Sequence, residues 1–208
     1  TAGYGGDTPC VELSYGNDII ICDAGSGIRR LGEHLKKRSR KVRATILLSH
    51  IHLDHVMGLP FFGPIYDKRD HLAILCPGRD AKDLRKQLKT LLSPPYFPLS
   101  IPLTPTLSHK GRGSILIGAI KLETFKCNHP DDSYAFKFRL PDGKTIVYAS
   151  DNEPSKRMHR AFVRWLTGAH MLIHDAQYTP AQYDAKKGWG HSPYLYPVRL
   201  AAEAGIKK

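Results

Sequence analysis

His50, His52, Asp54 and His55 fall within six consecutive positions, in the run Ser49-His-Ile-His-Leu-Asp-His55. Imidazole and carboxylate together are the ligand set that zinc and manganese prefer. The residues just before the first histidine, Ala44-Thr-Ile-Leu-Leu-Ser49, read as a buried strand, so the cluster sits where a strand gives way to a loop. Side chains alternate along an extended segment, which puts His50 and His52 on one side. A turn at Leu53 then lets the pair Asp54–His55 face a second point. One ion takes only three or four protein ligands, so this spacing suggests two ions side by side.

Such residues need elements to hold them. Asp18-Ile-Ile-Ile-Cys22 is an apolar strand ended by Asp23-Ala-Gly-Ser-Gly27. Ile28, Leu31 and Leu35 recur at helical spacing, as do Leu84, Leu88, Leu91 and Leu92, and later Met158, Phe162, Trp165 and Leu166. Ser93-Pro-Pro-Tyr-Phe-Pro98 cannot be regular structure, because prolines fix φ and lack a donor. Tyr134, Phe136, Phe138 and Leu140 alternate as a strand, Pro141-Asp-Gly143 is a turn, and Thr145–Ala149 returns as the partner. Met171–Ile173 is a last short strand. Early strand–helix alternation followed by hairpins predicts a mixed α/β fold.

His50-Ile-His-Leu-Asp-His55 resembles the signature of the metallo-β-lactamase superfamily. The resemblance implies an αββα sandwich of two mixed sheets flanked by helices, with two divalent ions at one edge. Zinc is the first choice, with manganese or iron as alternatives. It also implies the rest of the ligand set: His129, in Cys127-Asn-His-Pro130, completes the first ion with His50 and His52. Asp151 bridges to the second ion, which Asp54 and His55 hold. Family members usually add one more His from a strand near the C-terminus; that residue is expected beyond Lys208. Asp23 matches an early aspartate that supports the metal loop.

The later segments Leu172-Ile-His174-Asp175-Ala176 and Gly190-His191-Ser192 are similar to two motifs of the ribonuclease Z branch of phosphodiesterases, although Asp175 stands where Glu is usual and Pro193 replaces Thr. Pro197 places the start of the following helix after Ser192. Carried over from the family, His191 is a general acid and Asp175 orients it. Asp54 orients the attacking water or takes its proton.

The sequence has 208 residues and 41% hydrophobic content, enough for one domain, 1–208, expected to lack short strands at each end. It opens Thr1-Ala-Gly-Tyr4, which is not a natural start. No apolar run has the length of a membrane span and no secretory signal is visible, so no membrane partner is expected. Four widely spaced cysteines, Cys10, Cys22, Cys76 and Cys127, fit buried thiols in a reducing cytoplasm better than a disulfide framework. The net charge of +12 peaks in Lys36-Lys-Arg-Ser-Arg-Lys-Val-Arg43, which reads first as a solvated connection and second as an attraction for nucleic acid. A homodimer is left open.

These features predict a metal-dependent phosphodiesterase acting through a hydroxide shared by two ions on a cyclic nucleotide, another cyclic phosphate or an RNA-type diester. Transfer-RNA 3′ processing is disfavoured. The family's processing enzymes commonly insert a long arm between the residues matched by His129 and Asp151, and only 21 residues separate the two here. The alternatives are lactone, thioester or ester hydrolysis on the same ions, and a noncatalytic, metal-stabilised nucleic-acid-binding domain. Ser93–Pro98 is expected either to rim the cleft or to serve as a plain linker.

Overall fold

The computed structural model describes residues 5–98, 106–107 and 114–208; the opening Thr1-Ala-Gly-Tyr4 lies outside them. The chain divides into two compact units, Thr1–Lys110 and Gly111–Lys208.

In the first unit, β1 (Val11–Tyr15) and β2 (Asp18–Cys22) form an antiparallel hairpin. Three more strands follow in parallel, β3 (Arg43–Leu47), β4 (His71–Leu75) and β5 (Thr106–Leu107), giving the sheet order β1-β2-β3-β4-β5. Parallel neighbours need crossover connections. Helix α1 (Ile28–Arg38) links β2 to β3 and α3 (Ala81–Leu91) links β4 to β5; a single turn, α2 (Leu53–Val56), follows β3. Ile21, Ile46 and Ile74 on one sheet face pack with Ile28 and Leu35 of α1 and Leu84 and Leu88 of α3. The alternate residues Ile20, Leu47 and Leu75 are also fully buried. Strands covered on both faces read as continuous apolar runs, which is why β2 and β3 were legible and their facing direction was not.

The predicted α1 and α3 form. Asp80 caps α3, its side chain accepting from the backbone N–H of Lys82 and Asp83, each at 2.8 Å. The basic run 36–43 is partly structural. Lys36 Nζ lies 2.7 Å from Asp67 and 3.1 Å from Asp70, and Arg38 lies 2.9 Å from Glu12. Ser93–Pro98 is irregular, as its prolines require; Phe97 stands edge-on to Phe61 at 6.0 Å while Tyr96 is exposed.

In the second unit, β6 (Ser114–Ile117), β7 (Ile120–Lys126), β8 (Tyr134–Arg139) and β9 (Thr145–Ala149) form an antiparallel meander. Helix α4 (His159–Leu166) crosses over to β10 (Met171–His174), which runs parallel to β9 at the sheet edge. Two further helices follow, α5 (Pro180–Asp184) and α6 (Leu195–Ala204). Ala135, Val147 and Ala149 pack with Phe162 and Leu166 of α4 and Leu200 and Ala204 of α6. The alternation read in β8 is present, but both of its faces are buried. Its Lys137 is buried too, with Nζ donating to the Trp165 carbonyl and lying 4.8 Å from the ring centroid. Pro197 occupies the first turn of α6, where a missing N–H breaks no helical bond.

Each sheet is mixed and has helices packed on one face. Strands β4, β5, β6 and β7 were not anticipated. β4 is only five residues long, and β7 alternates Ile120, Leu122 and Thr124 with Lys121 and Glu123, a period-two signal that was there to be read. All four cysteines are free, and burial pushes the Cys10 and Cys76 thiols up to about 12. Among the described residues no helix is long and apolar enough to cross a membrane.

Candidate metal centre

Strand β3 delivers Ser49 and His50 at its end, and α2 begins three residues later at Leu53. His50 and His55 are fully buried. The His50 ring lies 4.4 Å from that of His52 and 4.2 Å from that of His55, centroid to centroid. Protonated rings at such spacing would repel one another. Neutral imidazoles gathered beside carboxylates are instead the donors a divalent cation takes.

One buried carboxylate orients two of these rings. Asp23, after β2, accepts the backbone N–H of Ser49 at 2.7 Å and its hydroxyl at 2.9 Å. Its Oδ2 lies 3.0 Å from His55 Nδ1. A carboxylate only accepts, so His55 carries its proton on Nδ1. The Ser49 hydroxyl spends its proton on Asp23, so it accepts from His50 Nδ1 at 3.0 Å. Both rings are thereby fixed with Nε2 available as a donor atom, the outer support that metal-binding imidazoles commonly have. The backbone joins in: Ala24 N–H donates to the His55 carbonyl at 2.8 Å and Gly58 N–H to the Ala24 carbonyl at 2.9 Å. A side chain at Gly58 would strike the Gly25 carbonyl, so this turn closes only over glycine.

Asp54 is half exposed and its Oδ2 lies 3.4 Å from His55 Nε2. The neighbouring His55 ring holds its carboxyl down at about 2, against burial, which pushes it up. Asp54 is therefore an anion across the neutral range.

In the second unit, β7 leads to His129 and β9 to Asp151. His129 Nε2 lies 3.6 Å from Asp151 Oδ2, and both side chains are buried. His191 Nε2 lies 3.8 Å from the same oxygen. On its other side His191 Nδ1 is 3.2 Å from Asp175 Oδ2, which also accepts the backbone N–H of Ser192 at 2.8 Å. The four residues the sequence marked in this half, His129, Asp151, Asp175 and His191, thus stand together.

Two residues of this half, Asn152 and Glu153, were not singled out, and His174 entered only within its motif. Asn152 Oδ1 accepts the Asn128 N–H at 3.0 Å, its Nδ2 lies 3.1 Å from His174 Nε2, and its carbonyl accepts the Ser192 hydroxyl. His174 is held low by burial, ahead of any other influence. Glu153 accepts the Tyr183 hydroxyl and the backbone N–H groups of Gly188 and Gly190. The adjacency of Asn152 and Glu153 to Asp151 was the one signal available; their partners lie 22 to 40 residues away in the chain.

Residues 19–208 match the family model described as a beta-lactamase superfamily domain. Among curated proteins, the chain is similar to Ribonuclease Z of Streptococcus mutans, 26% identical over 243 residues, covering 92% of this chain and 77% of that one. It is likewise similar to Ribonuclease Z of Lacticaseibacillus casei, 23% identical over 247 residues, 93% and 74% respectively. Among solved structures, it resembles the metallo-β-lactamase fold protein YhfI from Bacillus subtilis, with a TM-score of 0.74 at 21% identity over 96% of this chain and 75% of that one. It also resembles the short form of human tRNase Z, with a TM-score of 0.67 at 19% identity over 96% and 83%.

Proposed function

The chain belongs to the metallo-β-lactamase superfamily, in its ribonuclease Z-like branch of metal-dependent hydrolases, and we propose that the bond it cleaves is a phosphodiester in a nucleotide or RNA. The observation that carries this reading is the His191–Asp175 pair, 3.2 Å apart, with His191 Nε2 turned toward Asp151. A phosphodiester leaves as a poor alkoxide and needs a proton; a positioned imidazole can give it one.

His50, His52 and His129, with Asp151, are the donors proposed for one ion, three imidazoles and a carboxylate being a set that zinc accepts. Asp54 and His55 are the donors proposed for a second, with Asp151 shared. When bound, two such ions would offset the charge on the phosphate oxygens and make a water nucleophilic at neutral pH. The chain's own side chains do the rest. Asp54, ionised, accepts a proton or a hydrogen bond from that water. Asp23 and Ser49 hold the histidines of the first unit. Asp175 takes the His191 Nδ1–H and stabilises the imidazolium, whose second proton, on Nε2, faces the reacting group and is given to the leaving alkoxide.

Trp189 is 58% exposed two residues before His191, with Lys186 Nζ 3.7 Å from its ring centroid. An exposed indole with a cation over one of its faces suits a base and its phosphate. The test is a panel of metal-loaded protein with bis-p-nitrophenyl phosphate, cyclic nucleotides, a lactone and a β-lactam. Chelator-sensitive hydrolysis of the phosphodiesters is expected. Turnover of the lactone or lactam with none of the diesters would replace this reading by ester or amide hydrolysis on the same residues.

A further inference from the structure

We propose that Glu153 is a positioning residue for His129, acting through Gly190 to fix which ring nitrogen of His129 carries the proton. The bonds form one continuous path. Glu153 Oε2 accepts the Gly190 N–H at 3.0 Å, and the Gly190 carbonyl lies 3.0 Å from His129 Nδ1. A carbonyl only accepts, so the proton sits on Nδ1 and Nε2 presents its lone pair on the Asp151 side.

Glu153 grips His129 from two directions. Its backbone N–H donates to the Asn128 carbonyl at 2.8 Å, and its own carbonyl accepts from Asn128 Nδ2 at 3.3 Å. That ties Glu153 to the residue just before His129. Its carboxylate meanwhile gathers the turn that touches the ring: Tyr183 Oη at 2.9 Å and Gly188 N–H at 2.8 Å on Oε1, and Gly190 N–H on Oε2. The turn is closed against the ring. Gly190 has φ +88°, and a Cβ there would collide with His129 Nδ1 and with Pro130. A buried acidic residue whose two oxygens take three donors from the turn that closes on an imidazole through Gly190 is placed to orient that imidazole.

The role of His129 as a metal ligand rests on the proposed function; the protonation of its ring does not. The experiment therefore has two readouts. In the metal-free full chain, the ¹⁵N shifts of the His129 ring report the tautomer. In a zinc titration, the dissociation constant reports its consequence. Glu153→Gln keeps one oxygen for Tyr183 and Gly188 but turns an amide NH₂ toward the Gly190 N–H, so it breaks the path selectively. Tyr183→Phe removes a bond to the same carboxylate without touching the path, and stands for general loosening of the turn.

The wild type should show the Nδ1–H tautomer. Glu153→Gln should mix the tautomers and weaken zinc binding about 10- to 100-fold, the usual effect of losing an outer partner of a ligand. Tyr183→Phe should leave both within about twofold. Should Glu153→Gln fail to fold, Glu153→Asp, which is one methylene short of reaching Gly190, takes its place with the same expectation. A wild type without the Nδ1–H tautomer would overturn the proposal. So would an unchanged tautomer in Glu153→Gln, or equal losses in Tyr183→Phe. If the wild type bound no zinc, the metal reading would fall and the tautomer comparison alone would decide.

Discussion

His191 Nδ1 stands 3.2 Å from Asp175 Oδ2, and that same oxygen accepts the N–H of Ser192 at 2.8 Å. The carboxylate thus fixes both the ring of His191 and the backbone that follows it, as the proposed roles of proton donor and orienting acid require. His191→Ala should retain bound metal and lose about 10²- to 10⁴-fold in kcat on diesters with alkoxide leaving groups. The loss should shrink with p-nitrophenolate, which needs no proton. Asp175→Asn should show the same pattern more weakly. Equal losses for both kinds of leaving group would end the general-acid assignment.

Asp23 serves Ser49 and His55 with one buried carboxylate, and its backbone lies in the left-handed region at φ +61°. Asparagine tolerates that conformation, so Asp23→Asn isolates the hydrogen bonding. The amide leaves at least one buried donor facing another donor, a cost of about 1–3 kcal/mol. Metal affinity should fall about 10- to 100-fold. Calorimetric metal titration beside urea unfolding checks both. A variant as stable and as tight as wild type would show that the carboxylate has no part in holding the loop.

Trp189 and Lys186 give a substrate prediction. Trp189→Ala should raise KM for a cyclic nucleotide several-fold, with kcat and the KM for bis-p-nitrophenyl phosphate little changed; Trp189→Phe should recover most of the loss, because a phenyl ring still stacks. A uniform loss on both substrates would place the effect in the turn's structure and not in stacking.

Asp67 carries a pH signature. Its carboxyl is held well below the usual carboxylate range, first by hydrogen bonds from Arg69 and then by Lys36. The folded state therefore binds the proton less readily than the unfolded chain. The stability this gives is fully present above the unfolded value of about 4 and is lost as pH falls through the folded value. Asp67→Asn should be less stable than wild type at pH 7, and the gap should close on acidification below about 4. Urea unfolding across that range measures it. A gap that widened in acid would reverse the assignment.

How far the sequence reached can be read from particular residues. The spacing of His50, His52, Asp54 and His55 was enough to mark candidate metal ligands, because ligand-type residues close in sequence announce themselves. His129, Asp151, Asp175 and His191 came only with the family resemblance; each is a single residue at a strand or loop end, where a turn cap looks the same. Glu153 offered only its adjacency to Asp151, since its meaning lies in Gly188 and Gly190, 35 and 37 residues on. Strands β2, β3, β8 and β9 were readable from apolar runs or alternation. The direction each face took was not, because both faces are buried and the pattern carries no polar side to mark it.

Metal binding tests the account most directly. The full chain, loaded with zinc and dialysed, should retain about two ions per chain by mass spectrometry. The variant lacking His50, His52 and His129 together should lose the ion those three hold and all chelator-sensitive phosphodiesterase activity, while remaining folded by circular dichroism. Stoichiometric zinc binding that survived the loss of all three histidines would contradict the assignment of the centre.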